Sequence, residues 1–89
     1  MTDLTTLTLH ELAWLVKRDW KKVNYAAAPY LDAMLTLDSV NDTYVADSGS
    51  SIVRYFLCNA TSYSARTSNG LVEPKALKAE LNRRVKGKY

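Results

Sequence analysis

Apolar side chains return every three or four positions along most of this chain, a helical period and not the alternation of a strand. The first stripe is Leu9, Leu12, Ala13, Val16, Trp20 and Val23, while Trp14, Lys17, Arg18, Lys21 and Lys22 fall on the other side. Thr8 and Glu11 precede it at the spacing of a reciprocal cap: the threonine oxygen takes the Glu11 amide, and the glutamate takes the threonine's own N–H. A helix over 8–23 is predicted. Asp19 lies at the edge of the apolar stripe, where a carboxylate needs a partner.

Pro29 lacks an N–H and fits only the first turn of a helix, which predicts a second helix over 27–37 with Leu31, Met34 and Leu35 inward. Val45, Gly49, Ile52, Phe56, Ala60 and Tyr63 share one face of a third, over 43–62, and Val53 and Leu57 widen that face. Its start is open between a point near Asp42 and a later one capped by Asp47. The segment 61–73, rich in Ser, Thr and Asn, reads as an exposed loop turning at Asn69-Gly70. Glu73-Pro74 then opens a fourth helix, 74–86, with Leu77, Leu81 and Val85 inward and Lys75, Lys78, Arg83, Lys86 and Lys88 outward.

These elements predict a small, single-domain, all-α bundle of about four helices spanning 1–89, with 1–7 as an N-terminal extension and the third helix in the middle. The expected core is Leu12, Val16, Trp20, Leu31, Met34, Leu35, Ile52, Val53, Phe56, Leu57, Leu77 and Leu81. Eighty-nine residues leave no material for a second core. An apolar fraction of 47% is that of a folding chain and not a disordered one. So small a domain gains from self-association, which keeps a homo-oligomer among the expectations.

Cys58 is alone, which excludes an intramolecular disulfide and a cysteine-rich zinc site and suits a reducing compartment. Residues 1–8 lack the basic and apolar regions of an export signal, and no run approaches the ~20 apolar residues of a membrane span. The expectation is a cytoplasmic protein with no membrane partner.

Charge is uneven. Residues 26–52 hold four aspartates and no lysine or arginine, whereas 53–89 hold eight basic side chains against two acidic. Asp38, Asn41, Asp42 and Asp47 lack the alternate ligand spacing, central glycine and closing glutamate of a calcium loop, and Asp38 and Asp42 read instead as caps at the turn between two helices. No metal or cofactor is expected. His10 and the serines at 48, 50 and 51 form no nucleophile elbow, and the chain reads as no enzyme. Arg54, embedded in an apolar pattern, is expected to pair with Asp19 or Asp32.

Two binding chemistries remain. Exposed aromatics beside charges concentrate interface energy, which singles out Trp14, Arg18, Tyr25 and Tyr55 for a protein partner. Lys17, Lys21, Lys22, Lys78, Arg83 and Lys86 could instead contact the phosphates of a nucleic acid, if the first and last helices lie side by side.

Leu9, Leu12, Asp19, Trp20, Lys21, Val23, Ala26, Ala27 and the run PYLDAM at 29–34, together with DTYVADSGSSIVRYFLCNA at 42–60, resemble a family of small proteins encoded by bacteriophages, chiefly those of actinobacteria. The likeness covers about residues 7–60 and, more weakly, 76–86; a short Trp-Arg-Gly link in the family stands where this chain has 62–72. The family carries no assigned activity or binding residue, so no role is transferred to any position. What the resemblance implies is a phage product in the host cytoplasm that binds a host protein without catalysis.

Overall fold

A computed structural model of the chain describes residues 3–44 and 47–86. Among them are four α-helices, α1 (Leu9–Asp19), α2 (Ala28–Met34), α3 (Gly49–Asn59) and α4 (Pro74–Lys86). A 3-10 turn at Leu4–Thr6 precedes α1, and two-residue strands β1 (Thr43–Tyr44) and β2 (Asp47–Ser48) pair antiparallel before α3. The molecule is a small all-α domain. Its radius of gyration of 11.8 Å matches the ~12 Å of a compact chain of this length.

The reciprocal cap forms as its spacing predicts. Glu11 N donates to Thr8 Oγ1 at 3.3 Å, and Thr8 N donates to Glu11 Oε1 at 2.8 Å. The other end of α1 differs from the periodic pattern, which ran to 23. Trp20 is extended (φ −77°, ψ 114°) and bridges Ser68, while Lys21 N donates to Thr67 O at 2.7 Å. The last carbonyls of α1 are taken from far along the chain: Asn69 N donates to Asp19 O at 2.6 Å and Asn69 Nδ2 to Arg18 O at 3.0 Å. A distant loop ends this helix, so local periodicity could not.

α3 also begins later than position 43, and its cap is neither Asp42 nor Asp47. Ser48 caps it, accepting from Ser51 N at 3.2 Å. Asp42 instead closes the preceding turn, its Oδ2 accepting from Asp38 N and Ser39 N at 2.9 and 3.1 Å. The turn is pressed onto the helix start: Gly49 N donates to Asp42 O at 2.7 Å and Ser50 N to Val40 O at 3.1 Å. This is why Gly49 is glycine, since a Cβ there would stand 2.9 Å from Ser39 O. Val45, expected on the helix face, lies outside the described residues.

α1 packs on α2, α2 on α3 and α3 on α4, and α4 also meets the 3-10 turn. Leu12, Val16, Trp20, Leu31, Met34, Ile52, Val53, Phe56, Leu77 and Leu81 are buried as expected, each such aliphatic or Phe side chain contributing about 2 kcal/mol. Leu35 and Leu57 are only half-buried and rest against the core. Tyr63, from the serine-rich segment 61–73, is fully buried and stacks on Trp20 at a ring distance of 5.0 Å. The phenol thereby draws that loop into the core.

Candidate functional site

The outer face of α1 follows from its inner one. With Leu9, Leu12, Ala13 and Val16 buried, helical geometry turns His10, Glu11, Trp14, Leu15 and Arg18 outward as neighbours one turn apart. Together with Leu7 they line a shallow depression of about 330 Å³. Trp14 is 53% exposed, and Leu7 and Leu15 are half-buried in contact with the core below. Trp14 and Arg18, both expected as contacts for a protein, therefore stand side by side.

Charges on this face differ in what they already hold. The Glu11 carboxylate accepts from Thr8 N and Thr8 Oγ1, and the backbone bond leads the effects that hold its pKa below the usual glutamate value. His10 Nδ1 lies 3.0 Å from Asp38 Oδ1. Arg18 enters no ion pair with a described residue, nor do Lys21 and Lys22 just beyond the end of α1; all three are exposed. Lys17, on the flank toward α2, stands 4.0 Å from Asp32.

The other expected aromatics lie elsewhere. Tyr25 is 92% exposed on the turn between α1 and α2. Tyr55, 53% exposed on α3, meets Tyr30 of α2 at a ring distance of 5.5 Å. Nothing joins them to the Trp14 depression.

The residues expected to meet phosphate are divided. Lys78 is half-buried, and its Nζ donates to Tyr63 O at 2.7 Å and to Ala60 O at 3.2 Å, so its ammonium closes the carbonyls where α3 ends. Arg83 grips Glu80 through two nitrogens, Nε at 2.9 Å and Nη2 to the other oxygen. Arg84 adds a bond to Glu80 at 2.7 Å and reaches Leu4 O at 2.9 Å, tying the 3-10 turn to α4. The Arg83 hydrogen bond is the foremost cause holding the nearly buried Glu80 carboxyl below its ordinary value. Lys86 is exposed.

Asp19 is the buried charge that sequence reasoning placed but could not partner. Its Oδ2 accepts from Tyr63 Oη and Ser68 Oγ, both at 2.7 Å, and its Oδ1 from Leu71 N at 2.7 Å. Burial pushes its pKa up, but the Ser68 and Tyr63 hydroxyls and the Leu71 and Val72 amides together outweigh that and hold it low. Burial, then the bond and charge of Asp19, drive the Tyr63 phenol far upward. The expected pairing of Arg54 with Asp19 is corrected here: neutral donors satisfy Asp19, and Arg54 is on the exposed side of α3. Asp19 itself is fully buried, while its partners Ser68 and Leu71 line a surface cavity of about 640 Å³ and Tyr63 lines one of about 800 Å³.

Among the described residues no three His, Cys, Asp or Glu side chains converge as metal ligands, and no helix is long and apolar enough to cross a membrane. Comparison of the chain with protein-family models, curated proteins and solved structures finds no match to any of them.

Proposed function

We propose that this chain is a non-catalytic binding protein that docks another protein on the outer face of α1, with Trp14 and Arg18 as its main contacts. One observation carries the reading: an exposed indole and an ionically unpartnered guanidinium share one depression floored by Leu7 and Leu15. Large aromatics and arginines concentrate binding energy where they sit over apolar ground. The rival, a nucleic-acid surface spanning the first and last helices, is weakened because Lys78 and Arg83 spend their donors internally. It is weakened again because α1 and α4 are not among the principal packed pairs. The likeness of the chain to phage-encoded proteins supplies the setting of the proposal, a host protein met in the host cytoplasm.

Immobilised wild-type protein and the Trp14→Ala/Arg18→Glu double variant, exposed to actinobacterial lysate, test this. Expected is a protein retained by the wild type, lost with the double variant and kept by Tyr25→Ala. Retention of nucleic acid alone, falling steeply with salt, would overturn it in favour of phosphate binding.

A further inference from the structure

Resting on that reading, we infer that the segment docked on α1 is acidic: it places a carboxylate on Arg18 and an apolar anchor beside Trp14 in the depression over Leu7 and Leu15. The charges lining the depression select this occupant. Glu11 Oε1 accepts both Thr8 bonds of the cap and His10 sits against Asp38, which leaves Arg18 as the cation of the depression with no ion partner. Arg18 is the only ionisable group lining the depression that has no hydrogen bond or ion pair to a described side chain. A guanidinium offers five N–H donors in a planar fork that matches a carboxylate with two parallel bonds. Lys21 and Lys22, exposed just beyond the end of α1, add positive charge near that end of the face.

The arrangement also sets a direction. The apolar ground runs from Leu7, before α1, to Trp14 and Leu15 at its middle, and the ionically unpartnered Arg18 lies one turn further on. The helix dipole places its negative pole at the Arg18 end, where the guanidinium offsets it. Trp14 and Arg18 stand about 6 Å apart along the axis, so the docked segment carries its carboxylate within about two residues of its anchor. A basic segment would set like charge against Arg18, Lys21 and Lys22. A purely apolar one would leave the Arg18 donors facing it unmet on binding.

Selection from a displayed library of random peptides, run in parallel on the wild type, Trp14→Ala, Arg18→Glu and Lys75→Glu, tests the assignment. Lys75→Glu makes the same charge change on the exposed side of α4. Expected from the wild type are peptides rich in Asp and Glu around one large apolar residue. Their affinity falls about tenfold on Trp14→Ala, the loss of one well-made contact. Arg18→Glu turns the selection toward Lys and Arg, and Lys75→Glu leaves it acidic. Circular dichroism confirms that each variant is folded. Neutral or basic peptides from the wild type, acidic peptides indifferent to Trp14 and Arg18, or an empty selection would each overturn the inference. If the lysate capture still depends on Trp14 and Arg18, the binding reading survives that failure; if only nucleic acid is retained, both fall.

Discussion

Asp19 is where a single residue does most to hold the molecule together. Its carboxylate collects two hydroxyls and an amide that arrive from 44 to 52 positions away, and so fastens the segment 61–73 onto α1. Replacing it with asparagine keeps the shape but turns an N–H₂ group toward donors, leaving at least one of them unmet. Asp19→Asn is expected to cost about 3 kcal/mol in chemical denaturation at neutral pH. The pH dependence follows from the direction of the shift. The folded pKa lies below the ordinary 3.8, so the unfolded chain binds a proton first as pH falls. The stabilisation is fully present above that ordinary value and is lost as pH drops through the folded one. Denaturation midpoints measured from pH 6 downward should fall in acid for the wild type, and less steeply for Asp19→Asn. Glu80, also held low, keeps part of the slope in the variant.

At the scale of elements, the short hairpin β1–β2 and the turn before it decide where α3 starts. Two backbone bonds, to Asp42 O and Val40 O, bring the turn so close that only a residue without a Cβ fits at Gly49. The atoms in the way are backbone, which cannot swing aside as a side chain can. Gly49→Ala should therefore destabilise by about 2 kcal/mol despite alanine's better helix propensity, a reversal of the usual ranking that thermal or denaturant unfolding would reveal. A stabilised or unchanged protein would mean that the turn does not press on the helix as described. Gly49, read in the sequence as one position of the inner face, marks both a close approach and the start of the helix, because the close approach is what starts it.

For the molecule as a whole, the proposed binding surface and the interior that folds are separate. Trp14 and Arg18 lie outside the buried core, so Trp14→Ala/Arg18→Glu should cost about 2 kcal/mol of unfolding stability, from the half-buried indole and the charge reversal at the end of α1, and leave the protein folded while abolishing capture. Trp20, buried and stacked on Tyr63, is the opposite case. Much of the candidate face was legible in the chain, since knowing which side of a helix is apolar also tells which residues stand together on the other. Trp14 and Arg18 were found that way. The same rule is silent on the internal bonds of Lys78 and Arg83, because it identifies an outward residue but not what its long side chain folds back to touch.

Helical periodicity and the Thr8–Glu11 spacing, properties of residues within a turn or two of one another, determined the all-α class, the number of helices and most of the core. Where α1 stops, what caps α3, which groups neutralise Asp19 and how Lys78 and Arg83 are used were decided only by tertiary structure. Each depends on atoms brought together by packing: Asn69 against the end of α1, the turn over Gly49, Tyr63 and Ser68 on one carboxylate, and the carbonyls at the end of α3. A hydrogen bond needs its partner within about 3 Å, and no pattern of spacing along the chain records which distant residue will arrive there.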